Sequence, residues 1–66
     1  MPLVQVSLRE GRDPAQLRAL ISALTRAVVD TLDTPLESVR VILSEVPGTH
    51  WAAGDVTLEE KTRGTR

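Results

Sequence analysis

The 66 residues read as a small α/β fold: a single βαβ unit with two parallel strands and a C-terminal loop or hairpin, completed by assembly into an oligomer. Three observations carry that reading. Two short segments alternate apolar and polar residues, the segment between them repeats apolar residues at three- and four-residue steps, and the chain is too short to close a core by itself.

The first strand is Leu3–Leu8, where Val4, Val6 and Leu8 fall on one side and Leu3, Gln5 and Ser7 on the other. Asp13 is suited to cap a helix and Pro14 to occupy its first turn, so the helix is expected to start at about Pro14. Leu17, Leu20, Ile21, Leu24, Ala27, Val28 and Leu32 then form one apolar stripe. The helix stops at Asp33-Thr34-Pro35, because a residue before proline is pushed out of helical dihedrals. Thr34-Pro35-Leu36-Glu37 has capping-box spacing and predicts one helical or 3₁₀ turn.

Val39–Glu45 is the second strand, with Val39, Val41 and Leu43 on one face and Arg40, Ile42 and Ser44 on the other. A strand, a helix of about five turns and a strand make a βαβ unit, whose strands should be parallel. Residues 47–54 form a loop with turn residues at both ends, and Asp55–Leu58 suits a short edge strand or hairpin arm. Residues 59–66 are a polar tail expected to fray unless a neighbouring subunit orders it. The whole chain, 1–66, is one domain.

Composition narrows the function. With no cysteine there is no disulfide framework, and no apolar run exceeds three residues, as in Val41-Ile42-Leu43, so neither a membrane span nor a signal-peptide core is expected. Eight Lys/Arg against nine Asp/Glu leave a charge of -1, and Trp51 is the only aromatic. Nucleic acid is therefore not an expected partner, a membrane is not either, and a cytoplasmic location is the default. A two-stranded sheet covered by a helix on one face leaves the other face for a second chain.

The catalytic inventory is thin. There is no Cys or Tyr, and no glycine-framed serine. His50 is alone, without a second His or Cys at ligand spacing, and reads as a loop residue rather than a metal ligand. Pro2 follows Met1 directly. Once Met1 is removed, its nitrogen is a free secondary amine; α-amino groups titrate near pH 8, roughly, and nearby cations or an apolar wall lower that further. Such an amine can act as a base at neutral pH; equally, Pro2 can simply begin an edge strand. Arg9 and Arg12 lie where the first strand gives way to the helix, and Arg40 lies on the second strand. A strand arginine needs a partner, which is either Glu37 or Glu45, solvent at an edge, or a carboxylate held in its bidentate fork.

Together, Pro2 after the initiator Met1, Glu10-Gly11-Arg12 at the strand end, the run from Leu32 to Val41 with Arg40, and Gly48-Thr49-His50-Trp51 before Gly54 resemble the 4-oxalocrotonate tautomerase family. The resemblance runs from Pro2 to about Gly54. It implies a βαβ tautomerase fold assembled as a homohexamer, a trimer of dimers with active sites at subunit boundaries, although some relatives are hetero-oligomers. It implies no cofactor. By position, it makes Pro2 the amino-terminal base, Arg12 the group that binds the distal carboxylate, and Arg40 the group that meets the 2-oxo or enol oxygen. Trp51 takes the place of an aromatic wall.

The implied reaction is keto-enol tautomerisation of a small unsaturated 2-hydroxy acid such as 2-hydroxymuconate. Arg9 departs from the apolar residue usual there, and with Arg12 it is similar to the paired arginines of trans-3-chloroacrylic acid dehalogenase, which clamp a substrate carboxylate. That enzyme's water-activating carboxylate would fall at Ala53, with Asp55 two residues further on. Tautomerase is therefore the first expectation. A hydratase or cofactor-free dehalogenase is the second, and an oligomeric module that only binds anions the third.

Overall fold

β1 (Leu3–Arg9) and β2 (Arg40–Val46) lie side by side in a parallel two-stranded sheet, joined by helix α1 (Pro14–Leu32) and a 3₁₀ turn over Leu36–Ser38. The computed structural model describes residues 1–63. Register runs from Leu3 opposite Arg40 to Arg9 opposite Val46. Val4, Val6 and Leu8 share the half-buried face with Val41 and Leu43, as the alternation predicts, while Leu3, Gln5, Ser7, Arg40, Ile42 and Ser44 are exposed on the other.

The start of α1 matches its sequence signal. Asp13 accepts from the Ala15 amide at 3.0 Å, Gln16 Oε1 accepts from the Asp13 amide at 3.3 Å, and Pro14 opens the helix. At the other end Asp33 is left-handed, φ 54° and ψ 48°, and its amide still reaches the Val29 carbonyl at 3.0 Å. Leu17, Leu20, Ile21, Leu24 and Val28 are half-buried as expected, but Ala27 and Leu32 are exposed, and Thr25 and Val29 take part instead. A 19-residue helix is about 28 Å long against about 23 Å for a seven-residue strand, so the sheet is too short to cover the whole helix.

Two expectations are corrected near the second strand. The Thr34–Glu37 capping box does not form: the 3₁₀ turn begins at Leu36 behind Pro35, one residue too late for Thr34, whose hydroxyl lies 3.0 Å from Ser38 Oγ instead. The strand itself starts at Arg40 and ends at Val46, one residue later than predicted at each end, because Val39 closes the 3₁₀ turn through its amide to Leu36 O.

Beyond Pro47 the chain makes a 3₁₀ turn over Gly48–His50, then a hairpin of β3 (Ala52–Ala53) and β4 (Val56–Thr57), then helix α2 (Leu58–Thr62). Gly54 and Asp55 both have positive φ, 60° and 67°, the backbone that a tight two-residue hairpin requires. The hairpin arm expected at Asp55–Leu58 is present as β4. The polar tail expected from residue 59 is helical through Thr62, because Thr57 and Glu60 close a reciprocal capping box at 3.1 and 2.9 Å. The last of that predicted tail, 64–66, lies outside the described residues.

Among the described residues no side chain is fully buried. The chain measures 47 × 25 × 14 Å with a radius of gyration of 15.3 Å, where a compact domain of this length has about 11 Å. Leu3, Leu36 and Ile42 stay about half exposed and Leu32 more so, and Met1 is 88% exposed ahead of β1. Among the described residues no helix is long and apolar enough to cross a membrane.

Candidate active site

Because β1 and β2 are parallel, both begin at one end of the sheet and both finish at the other. That topology sorts the candidate residues. Pro2, half-buried just before β1, accepts a 2.9 Å hydrogen bond through its carbonyl from the Arg40 amide at the first position of β2. The Arg40 guanidinium turns back onto the preceding turn, where Nη1 donates to the Glu37 carbonyl at 2.7 Å and lies 3.5 Å from the Val39 carbonyl. It is thus steadied by main-chain oxygens, and neither Glu37 nor Glu45 neutralises it.

At the opposite end Arg9 closes β1, and Gly11 (φ 113°) bends the chain toward Asp13 at the cap of α1. Arg9, Glu10, Gly11, Arg12 and Gln16 line a recess of about 180 Å³. The Arg12 side chain is exposed and has no hydrogen-bonding partner among the described residues. Arg9 is engaged: its Nη1 donates to Thr62 Oγ1 at 3.0 Å. Trp51, half-buried, follows the 3₁₀ turn and accepts the Leu58 amide at 2.9 Å through its carbonyl, which ties it to the start of α2.

The structure therefore brings Pro2 together with Arg40, and Arg9 together with Arg12, and keeps the two pairs apart. Pro2 and Arg9 are seven positions apart along an extended strand, about 23 Å, a span longer than any small diacid. Among the described residues none of the three arginines is paired with a carboxylate, so no ion pair compensates their charges. No group of His, Cys, Asp and Glu able to hold a metal ion occurs among them. Two partners escaped the sequence reading. The Glu37 carbonyl under Arg40 had a faint signal in its three-residue spacing, and Thr62, 53 positions from Arg9, had none.

Residues 2–61 match the family described as tautomerase enzyme. The chain is 55% identical over 56 residues to a protein of Ralstonia nicotianae named as a probable tautomerase, covering 85% of this chain and 80% of that one. It is 43% identical over 54 residues to a 2-hydroxymuconate tautomerase of Stutzerimonas stutzeri, covering 82% and 86%. The fold superposes with a TM-score of 0.94 on a 4-oxalocrotonate tautomerase homologue of the tomaymycin biosynthetic pathway, 43% identical, over 98% of this chain and all of that one. A family match that spans the βαβ unit, the hairpin and most of α2 shows that this chain belongs to the tautomerase enzyme family, as a 4-oxalocrotonate tautomerase-like isomerase.

Proposed function

We propose that the protein isomerises a small unsaturated 2-hydroxy acid, such as 2-hydroxymuconate, to its 2-oxo form, with Pro2 as the base. The observation that carries this is the hydrogen bond between the Pro2 carbonyl and the Arg40 amide, which sets the candidate base beside an arginine with no acidic partner among the described residues. The family match begins at Pro2. Met1 must be removed, since only then is the Pro2 nitrogen an amine with a basic lone pair.

The steps balance without a cofactor. Neutral Pro2 takes the 2-hydroxyl proton, Arg40 stabilises the negative charge that develops on that oxygen, and the electron pair shifts along the conjugated chain. The prolinium then returns its proton to carbon five. Arg12 holds the distal carboxylate, and Trp51 excludes water and strengthens the arginine contacts by lowering the local dielectric. Arg9 lines the recess beside Arg12.

Since Pro2 and Arg12 of one chain sit at opposite ends of the sheet, each site combines residues of different protomers. A homohexamer, a trimer of dimers, accounts for this and covers the exposed Leu3, Leu36 and Ile42. Ala53, in β3, leaves the position of a water-activating carboxylate empty, and Asp55 is held in the hairpin turn, so the hydratase and dehalogenase readings lack their acid. The test is an ultraviolet assay with 2-hydroxymuconate on protein whose amino terminus has been checked by mass. Rapid conversion by protein starting at Pro2 is expected; equal activity from protein with Pro2 still acylated overturns the proposal.

A further inference from the structure

Arg9 occupies the position where a pair of arginines suggested a clamp for substrate, but its surroundings in the fold are those of a tie. The Arg9 guanidinium lies against Gly48 so closely that a Cβ there would be 2.8 Å from Nη2 and 3.0 Å from Cζ and Nε. From that position Nη1 donates to Thr62 Oγ1 near the end of α2. One side chain thus reaches from the last residue of β1 to the turn Gly48–His50 on one side and to α2 on the other. Trp51 is caught between these two grips, directly after the turn and hydrogen-bonded to Leu58 at the start of α2.

We propose that Arg9 is a positioning residue that fixes the hairpin and α2, and with them Trp51, relative to the sheet, and that Arg12 alone of this pair takes the substrate carboxylate. Gly48 is the matching half of the device. Its backbone is not in the left-handed region, so alanine fits the main chain there; what alanine displaces is the Arg9 guanidinium. The tie needs a hydroxyl at position 62 and an absent side chain at position 48, and three separate substitutions, Arg9→Leu, Thr62→Val and Gly48→Ala, undo it.

Trp51 is the only tryptophan, so its fluorescence reports the tie without reference to catalysis. The variants are compared in the full, processed oligomer, with assembly checked by sedimentation. Arg9→Leu, Thr62→Val and Gly48→Ala should each shift Trp51 emission to longer wavelength and raise its quenching by acrylamide a few-fold. The pair Arg9→Leu with Thr62→Val should go no further than Arg9→Leu alone, since the bond to Thr62 is already lost with Arg9. Thr62→Ser should behave like the parent.

The kinetic arm rests on the proposed tautomerase reaction. In it Thr62→Val should reproduce the loss of kcat/KM seen with Arg9→Leu, because neither variant removes a substrate contact. An Arg9→Leu variant with KM raised about ten-fold or more, unmoved Trp51 emission and a silent Thr62→Val overturns the proposal and returns Arg9 to the substrate. Failure of the tautomerase reading is seen separately, as full turnover in Pro2→Ala, and leaves the fluorescence comparison to decide on the tie by itself.

Discussion

The Arg40 amide donates to the Pro2 carbonyl at 2.9 Å, one rung beyond the pairing of Leu3 with Arg40, so the first residue of β2 is locked to the residue just before β1. Displacing either strand by one residue would break that bond and turn the Arg40 side chain to the helix-covered face. The chemistry proposed for Pro2 and Arg40 thus depends on strand register as much as on residue type.

Replacing Pro2 by alanine should lower kcat by about 10²–10⁴ while leaving the circular dichroism spectrum and oligomer size unchanged. In the parent enzyme kcat/KM should rise with pH on the acid side, since the working form of the base is the uncharged amine. Stopped-flow or conventional ultraviolet assays across pH measure both, and a flat acid limb excludes an amine as the base.

Arg40 and Arg12 should separate in their kinetic signatures. Arg40→Ala is expected to lower kcat with a modest change in KM, because charge on the enol oxygen grows in the transition state. Arg12→Ala is expected to raise KM for a diacid and to leave a monoacid enol almost unaffected. Equal losses on both substrates would remove the distal-carboxylate role from Arg12.

Two variants that are each impaired on a diacid at low concentration should rescue each other. If Pro2 and Arg12 of one site come from different protomers, dissociating and reassembling Pro2→Ala with Arg12→Ala restores intact sites, about one in four for random mixing of equal amounts. Reassembly with no gain in turnover would mean that a single protomer supplies both residues.

Asp13→Ala should cost about 1 kcal/mol by removing the cap bond to Ala15. The readout is a lower thermal midpoint at fixed protomer concentration, since assembly contributes to apparent stability. An unchanged midpoint would show that subunit packing, rather than the cap, holds the first turn of α1.

What was legible in the sequence was whatever local periodicity or capping chemistry determines. Val4, Val6 and Leu8 alternate cleanly enough to give both the strand and its buried face, and Asp13-Pro14 marks the start of α1 to the residue. Ala52 and Ala53 have no strand preference of their own; they pair only because Gly54 and Asp55 turn the chain back. The helix at Leu58–Thr62 was hidden by its polar composition, although Thr57 and Glu60 already stood at capping-box spacing.

The candidate site was legible as a residue set and, for Pro2 and Arg40, as a neighbourhood, because parallel strands start together. The separation of Arg12 and Trp51 from Pro2 follows from the same topology once strand length is counted. The contact of Arg9 with Thr62 was not legible at all, since nothing local links residues 53 positions apart.

Met1, standing almost wholly in solvent ahead of the sheet, gives the proposed chemistry a maturation step. On the proposed reaction the nascent polypeptide is expected to be silent, its Pro2 nitrogen an ordinary amide, until one peptidase cut outside the folded body removes Met1. A leader fused to the front end would therefore yield well-folded, well-assembled and inert enzyme.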